Sequence, residues 1–353
     1  MKTYEPLHIG KKTAKLPIIQ GGMGIGVSLG NLAGAVAKEG GIGLISAAQP
    51  GFMEADYDVN PFEANLRAMH KEMKKARSIA SEGMLGFNIM VAMRDYESYV
   101  REAVAAGADI IISGAGLPTD LPKYVEGSDT AIAPIVSTVK SANVILRYWD
   151  RKYNRVPDLI VIEGPKAGGH LGFTKEQLAE FTDESYCDEV RGILQLVKTY
   201  EKKYEQKIPV ALAGAIDTHE KVMEAFELGI DAVQVATRFV TTQECDADIR
   251  YKQAYLNAKK EDIRIVKSPV GMPGRAIANK FLERVDAGEK IAHKCHGCLN
   301  HCRPAEIPYC ITDALIHAAK GEVEDALLFC GADAYKADRI QTVKEVIGEL
   351  LQG

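Results

Sequence analysis

Short apolar runs rich in isoleucine and valine recur along the chain, and each is followed by a longer stretch whose apolar positions have helical spacing. The runs predict eight strands, at residues 17–20, 42–46, 85–90, 109–113, 132–137, 159–163, 209–213 and 232–236. The stretches after them predict helices at 29–38, 61–81, 94–106, near Leu121, 139–153, 175–203 and 219–228. Because each helix must return the chain to the same edge, the strands are expected to be parallel. Eight such units predict an α/β fold, a closed (β/α)8 TIM barrel.

The alternation of strand and helix ends after the eighth unit. We therefore expect the barrel to occupy residues 1–266, and residues 267–353 to form a C-terminal, partly helical appendage packed on the barrel mouth. Helices are predicted in it at 311–320 and 337–351. An open, doubly wound sheet is the alternative architecture, but residues 21–26 do not match the glycine spacing of its dinucleotide-binding fingerprint.

Composition narrows the class of ligand. The chain has 353 residues, of which 46% are hydrophobic and 26% charged, with a formal charge of −5, as in an ordinary globular protein. The absence of a basic block argues against a nucleic acid or an anionic membrane as partner and favours a small-molecule substrate. No apolar signal segment follows Met1 and no run of eighteen apolar residues occurs, so a cytoplasmic location is expected; the oligomeric state stays open.

Residues 167–172 carry the most distinctive motif of the chain. Gly168 and Gly169 precede His170 directly after an apolar strand, so a ligand can approach bare backbone while an imidazole faces it. The motif lies at the carboxyl end of a predicted strand, where barrels place their functional loops. A flexible turn and a histidine buried for packing are the competing interpretations.

Other strand ends also carry glycine or polar residues. Residues 20–24 place three glycines around Met23, which suits a flat heteroaromatic ring, and Asn88 adds an amide that both donates and accepts hydrogen bonds. Residues 213–217 and 234–238 end the seventh and eighth strands, the pair of loops that commonly binds phosphate in barrels. Simple strand-to-helix turns are the alternative for each loop.

Taken together and in order, these motifs resemble a known family. Residues 18–26, 86–88, 167–172, 211–216 and 233–240 are similar to the nitronate monooxygenase (2-nitropropane dioxygenase) family, which also contains flavin-dependent enoyl-ACP reductases. The resemblance covers roughly residues 10–290 and implies a barrel that binds FMN without a covalent link.

The resemblance also implies roles for individual residues. His170 matches the catalytic histidine of the family. Cofactor contacts are implied for Gly22, Met23, Asn88 and Lys140 at the flavin ring, Gly168 and Gly169 beside it, Gln234 in the same pocket, and Gly214, Ala215, Ala236 and Thr237 at the phosphate. The chain has alanine at 215 and 236, where the family often has glycine, and its run at 163–166 differs from the acidic residue often found before the Ala-Gly-Gly-His motif.

Two reactions fit this resemblance. The first is oxidation of small alkyl nitronates or nitroalkanes with O2, in which a histidine moves the α-proton. The alternative is an NAD(P)H-dependent reductase of enoyl thioesters, for which acyl carrier protein would be a partner. A flavin-free barrel lyase or isomerase acting on a phosphorylated substrate is the alternative from another class, and a non-catalytic flavin or metal sensor is a weaker one.

Four cysteines cluster in the appendage. Cys295, Cys298, Cys302 and Cys310 have the spacing C-x2-C-x3-C-x7-C, which suits one tetrahedral zinc ion or an iron–sulfur cluster. Reduced structural thiols and a disulfide are the alternatives. The chain has seven cysteines, an odd number, which does not fit a secreted disulfide framework.

Overall fold

The computed structural model describes residues 4–353 and confirms the predicted α/β barrel. A hairpin of β1 (Leu7–Ile9) and β2 (Lys12–Ala14) precedes it. The barrel strands are β3 (Ile18–Gln20), β4 (Ile42–Ser46), β5 (Met84–Met90), β6 (Ile110–Gly114), β7 (Ala131–Val136), β8 (Ile160–Glu163), β10 (Val210–Ala213) and β11 (Ala232–Val235). All eight pair in parallel, and the pairs β8–β10 and β11–β3 close the ring.

The two-residue period of the strands separates two cores. On β6, Ile110 and Ile112 face the barrel interior, whereas Ile111 packs outward against the helices. The hairpin adds Leu7 and Ile9 to the interior cluster, next to residues at the start of several strands, so it plugs the amino end of the barrel. The interior is therefore filled with side chains, and open space is left only at the carboxyl end of the strands.

Thirteen α-helices lie in the described part of the chain. They are α1 (Gly30–Lys38), α2 (Pro61–Ile79), α3 (Tyr96–Ala105), α4 (Leu121–Tyr124), α5 (Val139–Tyr153), α6 (Lys175–Glu180), α7 (Asp183–Tyr204), α8 (His219–Glu227), α9 (Thr237–Val240), α10 (Ile249–Asn257), α11 (Lys280–Asp286), α12 (Ile311–Ala319) and α13 (Val343–Gln352). None of the helices within residues 4–353 combines the length and apolarity needed to cross a bilayer.

Two predicted helices differ from the structure because of local capping. The segment predicted as one helix at 175–203 is divided into α6 and α7, since the Thr182 side chain accepts a hydrogen bond from the Ser185 amide and starts a new helix. The helix predicted at 337–351 begins only at Val343. Thr342 and Glu345 form a capping box there, which fixes the first turn.

The C-terminal segment is more closely integrated with the barrel than an appendage. Strand β12 (Ile263–Lys267) pairs with β13 (Pro273–Ile277), and β13 pairs with the two-residue strand β9 (Gly169–His170), which leaves the barrel after β8. The expected boundary between residues 266 and 267 thus falls inside β12. Several residues of the rest of the segment, among them Leu315 and Phe329, line the cavity at the carboxyl ends of the barrel strands.

The last helix completes the ring around the barrel. Helix α9, which follows the eighth strand, has only four residues, and α13 packs between α8 and α1. Its residues Val346, Ile347 and Leu350 belong to the main core cluster. The eighth helical position is therefore filled by the far end of the chain.

We predict that Leu350→Ala lowers the free energy of unfolding by about 2–5 kcal/mol, because it opens a cavity beneath a fully buried side chain. Urea unfolding of the variant and of the wild type measures the difference. Gln352→Ala, on the exposed side of the same helix, is the matched control and is expected to change it by less than about 0.5 kcal/mol. A similar small effect of Leu350→Ala would show that α13 is not part of the barrel core.

Candidate active site

A cavity of about 480 Å³ opens at the carboxyl ends of the barrel strands. Loops after β3, β5, β8, β10 and β11 contribute to its wall, and the C-terminal segment covers it. The structure brings the following predicted site residues together around it: Gly22, Met23, Asn88, Gly168, Gly169, His170, Gly214, Ala215, Gln234, Ala236 and Thr237. The five ordered motifs therefore form one site.

The glycine loop after β3 is held against Asn88 by a buried polar pair. The side-chain Nε2 of Gln20 donates a hydrogen bond to Ser28 Oγ (2.9 Å), and the same oxygen accepts a hydrogen bond from the main-chain N–H of Met23 (2.9 Å). A Cβ at Gly22 would lie only 2.3 Å from Asn88 Cβ, so glycine alone fits there. The backbone of the loop and the amide of Asn88 consequently line the same part of the cavity.

The ends of β10 and β11 form a main-chain cradle. Gly214 and Ala215 adopt positive φ angles of 102° and 59°. The amide of Thr237, the first residue of α9, has no acceptor within its helix. Gln234 Oε1 is buried and has no hydrogen-bond partner among residues 4–353, which leaves an acceptor for a ligand donor. These main-chain amides and this orphaned amide oxygen fit a ligand that carries both a phosphate and a hydrogen-bonding body.

His170 lies in β9 and is fixed by the C-terminal segment. Its main chain pairs with Gly274, its Nε2 lies 2.8 Å from Ser268 Oγ, and its ring packs edge-on against Phe329 with centroids 4.9 Å apart. Burial lowers the pKa of His170 to about 4. The imidazole is therefore neutral at pH 7 and can accept a proton.

Arg275 fixes the backbone that leads to His170. Its guanidinium donates hydrogen bonds to the main-chain carbonyls of Pro165 (3.0 Å) and Ala167. Gly168 completes the arrangement, because a Cβ there would lie 2.6 Å from the backbone of Cys330. The loop can take this position only with glycine at 168.

A second, more open cavity of about 720 Å³ adjoins the first. His170 and Glu163 line both cavities. The second cavity is lined by apolar residues such as Leu171, Phe173 and Met272, and also by Lys175 and Lys267. His170 can thus be approached from two sides.

Lys140 and the four cysteines are not arranged in the structure as the sequence predicted. Lys140 is exposed in the first turn of α5 and does not line it. The four-cysteine metal centre is not formed, since no three histidine, cysteine, aspartate or glutamate side chains within residues 4–353 come together as ligands of one ion. All the cysteines are free thiols; Cys298 and Cys302 pack against an apolar cluster, and burial raises the pKa of Cys310 to about 12.

Comparison with known proteins identifies the family. The profile of the family described as "Nitronate monooxygenase" matches residues 5–353. The chain belongs to the nitronate monooxygenase family. Relatives described as probable nitronate monooxygenases include one from Staphylococcus saprophyticus, 24% identical over 308 residues (78% of this chain and 79% of the relative), and one from Staphylococcus aureus strain Newman, 26% identical over 288 residues (77% and 78%).

Solved structures show the same fold. FabK from Thermotoga maritima superposes with a TM-score of 0.72 at 23% identity, covering 96% of this chain and 92% of that one. Nitroalkane oxidase from Streptomyces ansochromogenes has a TM-score of 0.71 at 18% identity, covering 96% and 95%. Membership of the nitronate monooxygenase family indicates an oxidoreductase and supports a flavin as its cofactor.

Sequence reasoning missed several residues of the site. Ser268, Arg275 and Phe329 reach His170 or its loop from about 100 or more positions away along the chain, and no local pattern indicates such contacts. The sequence shows Glu163 as the polar residue at the end of an apolar strand, and it gives no further sign of a role in the site. At that position in a barrel, a carboxyl group points to the functional face.

We predict that His170 remains neutral between pH 5 and pH 8, because burial disfavours the imidazolium. Its NMR Cε1–H signal, assigned from its loss in His170→Gln, is expected to stay constant over this range. Free imidazole groups have a pKa of about 6.5 and provide the reference curve. The contribution of His170 to the free energy of unfolding is fully present above about pH 6.5, and it is lost as the pH falls towards 4. A midpoint above pH 6 for this signal would contradict the assignment of a neutral base.

Proposed function

We propose that the chain is an FMN-dependent oxidoreductase that oxidises small alkyl nitronates and nitroalkanes with O2. The observation that carries the proposal is the cavity at the strand ends, which is lined by a half-buried His170 with a lowered pKa, by a glycine-rich loop and by a main-chain cradle. Family membership supports the same reaction class.

The residues for the cofactor follow from the walls of the cavity. When bound, FMN supplies the electron-transfer chemistry. The phosphate would be held by main-chain amides at Gly214, Ala215, Ala236 and Thr237, and the ring would contact Gly22, Met23, Asn88, Gly168, Gly169 and Gln234. Since most of these contacts are made by backbone, alanine at 215 and 236 retains the amides that the phosphate needs.

His170 supplies the proton chemistry. A neutral imidazole nitrogen accepts the α-proton of a nitroalkane, and the electron pair of the broken C–H bond moves into the nitro group, which gives the nitronate. Ser268, at 2.8 Å, orients the ring, and the covering segment limits the access of water. A nitronate supplied already ionised does not need this step.

The second cavity favours a second candidate, an NAD(P)H-dependent reductase of enoyl thioesters. A small nitronate leaves most of that space unused, whereas an elongated acyl group would extend into it beyond His170. In this candidate NAD(P)H is the reductant, and acyl carrier protein is the partner that delivers the substrate.

We predict that the purified protein takes up FMN and shows flavin absorption bands after free cofactor is removed. Riboflavin, which lacks the phosphate, is expected to bind about tenfold more weakly or worse, because the charge-assisted hydrogen bonds at the cradle are lost. Absorbance titration gives both dissociation constants. A protein that stays colourless with FMN would overturn the proposed function.

We predict that His170→Ala keeps FMN bound but lowers turnover of a neutral nitroalkane by about 10²- to 10⁴-fold, with a smaller loss for the ionised nitronate. Oxygen uptake measures both, and enoyl-dependent NAD(P)H oxidation is measured alongside. His8→Ala, on the exposed hairpin at the other end of the barrel, is the control. Equal losses for the neutral and ionised substrates would exclude proton transfer by His170, and turnover in the enoyl assay alone would reverse the order of the two candidates.

A further inference from the structure

Glu163 occupies a position at the boundary of the two cavities. It is the last residue of β8 and lines both of them, as His170 does. Its main chain is fixed, because the Tyr186 hydroxyl lies 3.0 Å from the Glu163 carbonyl oxygen and 3.1 Å from that of Ser137. Glu163 and His170 therefore both lie at the boundary between the two cavities.

The Glu163 carboxyl has no partner within the described chain. No hydrogen bond or ion pair joins it to another group in residues 4–353, and burial raises its pKa to about 8. Glu163 is half-buried, and an ionised carboxylate in a covered cavity without a partner is costly, so the raised pKa favours the neutral form at pH 7 unless a ligand compensates the charge. A neutral carboxyl has one O–H to donate, which the described residues leave unused.

No charged or titratable group near Glu163 forms an ion pair with it; Arg275 donates to the main-chain carbonyls of Pro165 and Ala167 instead. Lys166, in the loop after β8, pairs with Asp183 (2.6 Å). Asp217, after β10, pairs with Lys336 (2.8 Å), and Glu189 of α7 accepts the Val139 amide. The remaining neighbours are the neutral His170, the Tyr186 hydroxyl, whose pKa is raised by burial, and Lys175 and Lys267 of the second cavity. None of them forms an ion pair with Glu163.

We infer that Glu163 is a second catalytic residue, which donates the hydrogen bond of its neutral carboxyl to a substrate oxygen that carries negative charge. This inference rests on the proposed function. The oxygen belongs to the group conjugated with the carbon at which His170 acts, either the nitro group of a nitronate or the carbonyl of a thioester. The O–H bond of Glu163 stays intact. The hydrogen bond stabilises the oxyanion that forms when a nitroalkane carbon loses its proton to His170, or when a hydride from the reductant adds to the enoyl group before the α-carbon is protonated.

The test uses nitrate, a planar oxyanion, as the probe. Infrared difference spectroscopy follows the carboxylic C=O band of Glu163 in the protein with and without FMN. At pH 7 we expect a band that is absent in Glu163→Gln and that shifts when nitrate is added. The band is expected to disappear above about pH 8, as the group ionises.

Nitrate affinity, measured by calorimetry from pH 6 to pH 10, supplies the second readout. In the wild type it is expected to fall above pH 8 by up to about tenfold per pH unit, because the ionised group loses its donor and repels the anion. In Glu163→Gln the amide still donates, so affinity should stay within about threefold of the wild type at pH 7 and not change with pH. Glu163→Ala is expected to bind about tenfold more weakly. Glu180→Gln, an exposed residue of α6 that lines neither cavity, is the control.

Three results would overturn the inference. The first is a nitrate affinity of Glu163→Gln that depends on pH as in the wild type, and the second is an unaltered nitrate affinity of Glu163→Ala. The third is loss of FMN from Glu163→Gln, which would show that Glu163 binds the cofactor instead. Failure of the proposed function is distinguished by FMN uptake. If the proposed function is wrong, the wild type takes up no FMN, and the infrared and calorimetric experiments on the flavin-free protein still test the role of Glu163.

Discussion

The antiparallel pairing of β9 with β13 is the interaction on which the site depends. It ties the two residues that leave the barrel after β8 to a hairpin from the C-terminal segment, with the Leu171 amide donating to the Pro273 carbonyl at 2.8 Å. The same hairpin brings Ser268 to the imidazole and Arg275 to the carbonyls before it. Without this pairing, a loop with two consecutive glycines would have no fixed conformation, and His170 would have no defined direction.

This pairing also explains why the site is deeply covered. The barrel interior is packed with apolar side chains, so ligands can bind only above the strand ends, in a region that water would otherwise occupy. The C-terminal segment closes that region with Phe329, Leu315 and neighbouring residues. The exclusion of water lowers the pKa of His170 and raises that of Glu163, since each charged form loses its hydration. One covering segment therefore sets the protonation states of both groups.

The fold could be predicted from the sequence where the signal is local. The eight strands are marked by short continuous apolar runs. Both faces of each strand are apolar because inward residues such as Ile110 and outward residues such as Ile111 are both buried. The position of α13 could not be predicted, since its apolar stripe shows that it packs on something but not that the open place lies between α1 and α8. The sheet of β9, β12 and β13 was missed for a related reason: β9 has two residues, too few for a period to be read.

The candidate site shows the same difference: residues with a local sequence pattern could be located, and residues that depend on distant contacts could not. The glycine motifs could be located because glycines cluster at the strand ends of the sequence; in the structure Gly22 and Gly168 stand where a side chain would clash, and Gly214 has a positive φ angle. Lys140 was placed by resemblance alone, and the cysteine spacing did not show that Cys298 and Cys302 would pack against an apolar cluster.

The position of α13 has a consequence for how the chain folds during its synthesis. After β11 has emerged from the ribosome, the apolar groove between α1 and α8 stays open until residues 343–352 have also been made. At ordinary elongation rates of about 5–20 residues per second, that delay is on the order of 5–20 s. Through this period the nascent barrel exposes a strip of its core, so the molecular chaperones that meet it are expected to bind along one seam of the helical ring.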